Sequence, residues 1–198
     1  MRYSNEHKAE TRERVLKEAA REIRAKGPDG VGVAGVMARA GLTHGGFYAH
    51  FPSKEALIAE AIGTMFDSAA RRASGALEGE GDARAALAAY VDFYLSATHR
   101  DARGSGCPLP ALSGDLARAD VPVRERFGAG VAGLSGRLAG ALGRIGWPDP
   151  ENEATALLAQ LVGAVALARS VGDVAQSDAI LARTRGAVVA RYGLEARA

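Results

Sequence analysis

Apolar residues in this chain recur at three- and four-residue spacing almost from end to end, and no stretch shows the strict alternation of a half-buried strand. Between Glu6 and Lys26, Val15, Leu16, Ala19, Ala20 and Ile23 fall on one helical face with charges opposite, and Gly27-Pro28-Asp29-Gly30 stops that helix. Short helices are predicted over about 33–40 and 43–50, separated by Gly41. Ser53 is placed to cap a longer helix with Glu55 in its first turn, and the stripe Leu57, Ile58, Ala61, Ile62, Met65, Phe66 carries it past Arg72. A polar loop over 75–82 follows, and then helices near 83–99, 108–118, 121–144, 150–171 and 176–191. The pattern predicts an all-α protein. Six glycines between 128 and 143 would each weaken an isolated helix by about 1 kcal/mol relative to alanine, so that helix must pack closely or adapt.

With 198 residues the chain can hold one compact domain or a small module joined to a larger one. It has no run of 18 apolar residues and no apolar leader near Met1, which favours a cytoplasmic protein without a membrane span. Cys107 is the single cysteine, which excludes an intrachain disulfide and a multi-cysteine metal site. The formal net charge of +2 is unevenly spread: residues 1–54 carry ten Lys/Arg against six Asp/Glu, including all four lysines. That bias suits a polyanionic partner, because neutralising phosphates releases counterions.

The segment from Val33 to Phe51 has the mechanics of a helix-turn-helix. Val36 and Ala40 share a face of the first helix, Gly41 allows the positive φ of a sharp corner, Leu42 covers the small core, and Thr43 is placed to cap the second helix. Phe47 and Phe51, four apart, fasten that helix inward. Thr43, His44, Gly45, Gly46, Tyr48 and His50 remain outward, a set of hydroxyls, imidazoles and bare backbone suited to a major groove.

These residues resemble the TetR family of transcriptional regulators. The resemblance rests on Ala40-Gly41-Leu42-Thr43, Gly45 and Tyr48-Ala49-His50-Phe51-Pro52-Ser53-Lys54-Glu55-Ala56-Leu57, with Thr11-Arg12 and Gly27 upstream, and covers about residues 8–68. It implies an N-terminal three-helix DNA-binding domain over 8–68, with its helix-turn-helix at about 33–51, and a helical effector-binding and dimerisation domain over 69–198. Thr43, Tyr48, His50 and Lys54 then look like phosphate contacts, with Lys8 and Arg12 reaching the backbone from the first helix, while His44, Gly45 and Gly46 face base edges. The plainer readings stay open: His50 as a C-terminal cap, Tyr48, Lys54, Lys8 and Arg12 as ordinary surface residues. Met37, where the family usually has alanine, Gly32, where a Ser/Thr cap is common, and Gly46 depart from the pattern.

The resemblance further implies a homodimer on a palindromic operator of double-stranded DNA, with recognition helices about 34 Å apart, and a small-molecule effector that releases a repressor; few charges fall at the pocket candidates named below, which favours an apolar or aromatic effector. Leu158, Leu161, Val165, Ala168, Leu181 and Val188 on the last two long helices are the interface candidates. Phe66, Tyr90, Phe93, Tyr94, Cys107, Leu112, Phe127 and Trp147 are the pocket candidates, with His99, Leu109 and Leu134 beside them. A constitutive DNA-binding protein without effector shares the same motif. An enzyme is disfavoured: the sequence has no Gly-rich phosphate loop, no metal-ligand spacing and no Gly-x-Ser-x-Gly elbow, and no metal or cofactor is called for. Cys107 lies in Arg103-Gly-Ser-Gly-Cys-Pro-Leu-Pro at a predicted helix start, where the dipole would lower its thiol pKa. A Gly-Cys at this place recurs in one subgroup of the family; both a redox or electrophile sensor and a small buried residue fit.

Overall fold

The computed structural model describes residues 2–195, and every regular element among them is helical. In order these are α1 (Arg2–Lys26), α2 (Val33–Arg39), a 3-10 helix (His44–Ala49), α3 (Lys54–Leu77), α4 (Ala83–Tyr94), α5 (Ala97–Asp101), α6 (Leu109–Leu116), α7 (Val121–Arg144), α8 (Pro150–Ser170) and α9 (Val174–Tyr192). No helix among the described residues is long and apolar enough to cross a membrane.

The first helix stops where the breakers stand: Gly27 takes φ +74 and returns its N–H to the Ile23 carbonyl at 2.8 Å. Val15, Ala19, Ala20 and Ile23 are buried against α2 and α3. Ser53 caps α3 by accepting the Ala56 N–H at 3.1 Å. Bonds from its own backbone and the Ser53 hydroxyl hold the exposed Glu55 carboxyl below its usual pKa at the positive end of that helix.

The expected loop at 75–82 begins later, because Ala73 and Leu77 are buried and draw most of another turn into α3. Arg144 then closes the end of that helix, donating to the carbonyls of Leu77 (2.7 Å), Gly79 (2.9 Å) and Gly81 (3.3 Å). A cation on the last orphan carbonyls of a helix satisfies both hydrogen bonding and the dipole. The single helix expected over 83–99 is two: the Ser96 hydroxyl accepts the His99 N–H at 3.0 Å and starts α5 afresh.

Despite its glycines, α7 is unbroken, and α3, α7, α8 and α9 form a packed series with α4 across it. One glycine has a packing reason. A Cβ added at Gly130 would stand 2.2 Å from Cγ of Phe66 on α3. At Gly128, Gly136 and Gly140 an added Cβ would meet nothing within 4 Å. Close packing therefore accounts for only part of the glycine pattern.

Candidate nucleic-acid interface and the helical body

Gly41 sits at φ +75 between α2 and the 3-10 helix, where Leu42 N–H reaches back to the Met37 carbonyl at 2.9 Å. Phe47 and Phe51 are buried, their rings stacked 5.8 Å apart, and the second element packs against α2. Tyr48 stands edge-on to Phe47 at 5.1 Å yet is 72% exposed. Thr43, His44 and Gly45 are exposed beside it, and Gly46 and His50 are half-buried. A short row of hydroxyl, imidazole and backbone thus faces solvent on a rigid apolar foot.

Two local expectations change. The second element is a 3-10 helix of six residues, its i→i+3 bonds running from Gly46 N–H to the Thr43 carbonyl (3.1 Å) and His50 N–H to the Phe47 carbonyl (2.9 Å). Paired glycines and a short span give too little α-propensity to hold the wider coil. Thr43 occupies the cap position with extended backbone, but its hydroxyl makes no capping bond and stays free. Gly32 likewise caps α2 without a side chain. Met37 is fully buried and its methyl lies 3.8 Å from where a Gly46 Cβ would be, filling space under the second element.

Lys8 is exposed on α1, whereas Arg12 turns inward. It pairs with Glu60 of α3, and its guanidinium lies 4.7 Å over the Phe51 ring. An arginine so engaged with a carboxylate and a ring face is a strut rather than a free phosphate contact. Lys54 extends along the surface to the Asp29 carbonyl at 3.5 Å. The buried Nδ1 of His50 has no hydrogen-bond partner.

In the body, the expected pocket residues do not form one chamber. Tyr90, Tyr94, Cys107 and Leu112 are core, with His99 against Tyr94 at 4.7 Å. Phe66 and Phe127 meet edge-to-face at 5.4 Å where α3 crosses α7. Phe93 is 45% exposed, and Trp147 packs on Tyr192 at 4.9 Å. The expectation for Cys107 is overturned: burial pushes its thiol pKa up, outweighing Tyr94, the Leu109 N–H and the more distant Arg72 and Arg24. His99 accepts the Cys107 N–H at 3.1 Å on Nε2 and sets Nδ1 2.7 Å from the Tyr94 carbonyl, so its neutral tautomer satisfies both.

The six interface candidates are also corrected. Leu158, Leu161, Val165, Ala168, Leu181 and Val188 are all buried within the protomer, because α8 and α9 pack on each other and on the series behind. These helices expose instead Ala156, Ala159 and Leu167 of α8 and Val174, Ala182, Gly186 and Ala190 of α9. Hydrophobic periodicity finds the buried stripe and cannot mark the second, milder face.

A glycine corner, a short second element pinned by two phenylalanines and a long helix leading into a helical body define the helix-turn-helix class of regulators. Residues 15–61 match the model of the tetR family of bacterial regulatory proteins. An uncharacterized HTH-type transcriptional regulator of Bacillus subtilis (strain 168), YdgC, is 41% identical over 68 residues, 34% of each chain, so the match spans about a third of that relative's length. Similarity to solved structures runs the full fold. The reduced form of Escherichia coli NemR superposes with a TM-score of 0.79 at 26% identity, over 90% of this chain and 95% of that one. A TetR transcriptional regulator from Chloroflexus aurantiacus gives 0.79 at 25% identity, over 93% and 95%. A TetR-family regulator from Agrobacterium tumefaciens gives 0.76 at 21% identity, over 91% and 98%, which speaks to fold alone.

Proposed function

We propose that this chain is a ligand-responsive, sequence-specific DNA-binding regulator, acting in the cytoplasm as a homodimeric repressor that leaves a palindromic operator when a small molecule binds. Residues 8–68 form the DNA-binding domain and 69–198 the effector-binding and dimerisation domain. The observation that carries the reading is the exposed row Thr43, His44, Gly45 and Tyr48 on a foot made rigid by Phe47 and Phe51.

In this reading Thr43, Tyr48, His50, Lys54 and Lys8 hold phosphates while His44 and the backbone at Gly45-Gly46 meet base edges. With Nδ1 of His50 buried and unpartnered, Nε2 is the ring nitrogen left to meet a phosphate oxygen. Arg12 contributes by holding α1 to α3 through Glu60, not by touching DNA. The exposed small residues of α8 and α9 meet their copies across a two-fold axis, where backbones approach closely. An effector that prefers the DNA-incompetent arrangement lowers operator affinity by that preference and no more.

The experiment is fluorescence anisotropy of the purified protein with fragments from the DNA flanking its own coding region, titrated against salt. A palindromic fragment should bind well above a scrambled one, with affinity falling steeply as salt rises. A protein indifferent to every fragment at low salt overturns the reading.

A further inference from the structure

Gly136 and Gly140 of α7, where an added Cβ would meet open space, line a groove. Its wider part, about 640 Å³, has Gly133, Gly136 and Gly140 as floor and Leu77, Arg137 and Arg144 as walls. A narrower part of about 230 Å³ continues from Gly133 and Arg137 toward Phe66 and Arg126. The wider part alone is within the range of small-molecule sites. Nothing in the protomer fills it, yet three positions of its floor lack side chains at a cost in helix stability. The bare backbone leaves a flat apolar bed along the helix.

The charge at its edge is positive: Arg126, Arg137 and Arg144 line it against Glu78 and Asp67. Arg144 is spent on carbonyls, and Arg126 lies against Gly63 with no hydrogen bond or ion pair among the described residues. Arg137 stands where the two parts join. Its Nε donates to Ser74 Oγ at 2.7 Å and Nη1 to the Gly133 carbonyl at 2.8 Å, with Glu78 3.4 Å from Nε, which fixes the guanidinium and leaves Nη2 without an acceptor.

We propose that the α3–α7 groove binds an elongated apolar molecule bearing one anionic group, the body lying on Gly136 and Gly140 and the anion on Nη2 of Arg137. The effector is then an amphipathic anion, not the purely apolar compound favoured by composition; this rests on reading the chain as ligand-responsive, though the binding itself does not require DNA. A flat floor excludes nothing by length, so selectivity comes from the charge at one end and the thickness of the body.

The test uses the full chain without DNA and two probes of the same ring body, anionic 8-anilinonaphthalene-1-sulfonate and uncharged N-phenyl-1-naphthylamine. Wild type should bind one sulfonate probe per protomer, more tightly than the amine. Gly136→Leu, at a site where a side chain has room, should keep or raise the melting temperature and weaken both probes by about tenfold or more. Arg137→Gln should weaken the sulfonate about tenfold and leave the amine unchanged. Gly136→Leu binding both probes like wild type places the site elsewhere and overturns the proposal. So does a wild type that binds neither, or sedimentation showing that Gly136→Leu splits an assembly, which would make a second copy of this chain the occupant. A wild type that binds the sulfonate but ignores all DNA overturns the proposed function and leaves the groove standing.

Discussion

The ring of Phe66 lies on the backbone of Gly130, so that a methyl at position 130 would stand 2.2 to 2.4 Å from three ring atoms. This contact joins the helix that starts just after the 3-10 element to the helix that floors the groove. Gly130→Ala gains helix propensity of about 1 kcal/mol but forces Phe66 or the helix spacing to shift, and overpacking of a close contact costs about 1–3 kcal/mol. Denaturant titration should show a net loss. Gly140→Ala, with open space around its Cβ, should gain stability by about 1 kcal/mol. Equal effects at the two sites would mean that Phe66 does not set the α3–α7 distance.

The division of roles on the DNA face can be read from two variants. Tyr48→Ala should weaken binding to operator and scrambled DNA alike, since a phosphate contact carries no sequence information. His44→Ala should change the preferred base at one position in each half-site and cost about 1–3 kcal/mol only on the original operator. Selection of binding sites from a random pool distinguishes them, and a Tyr48→Ala protein with altered base preference reverses the assignment.

His99 makes the fold sensitive to acid. Burial, which outweighs the Tyr94 carbonyl, and the positive charges of Arg169 and Arg72 depress its pKa below the usual histidine value. The unfolded chain therefore takes up a proton before the folded chain does, and stability is lost as pH falls through about 6.5. Protonation would also end the acceptance of the Cys107 N–H by Nε2. Urea midpoints should fall between about pH 8 and pH 5 in wild type, and the fall should shrink in His99→Gln. An identical slope in the variant would assign the acid sensitivity to other groups.

Helical periodicity located most elements, and the Gly41 corner with Phe47 and Phe51 was readable because turn chemistry and aromatic spacing are local properties. What could not be read was what each side chain does with a second partner. Arg12 looks like a free cation until Glu60, 48 residues on, is brought against it. Cys107 lies near a helix start, as its prolines suggest, but its thiol is governed by burial among Tyr94 and His99, which no spacing rule conveys. Large apolar side chains do not mark the groove, because its floor is glycine and its edge arginine. The glycines of 128–143 were the available signal.

Reactivity at Cys107 should follow from that burial. A thiol with a raised pKa and little access is a slow nucleophile. Native protein should react with a disulfide reagent only as fast as it opens, and in denaturant at the rate of a free cysteine. Fast modification of native protein, accompanied by operator release that Cys107→Ala abolishes, would restore the sensor reading.

The proposed dimer surface separates from the core by a pair of variants on one helix. Leu167 is 61% exposed on α8, within four residues of buried Ala164 and Val165, and Val174 at the start of α9 is 68% exposed. In the proposed dimer these two side chains belong to the face that the second copy covers. Leu167→Glu should leave the melting of the helical fold nearly intact but place a charge in the two-fold contact, giving monomers in sedimentation and loss of operator binding. Leu158→Ala, which empties a buried position, should cost about 2–5 kcal/mol of stability before any change in assembly. A Leu167→Glu protein that remains dimeric would move the interface off the exposed face of α8.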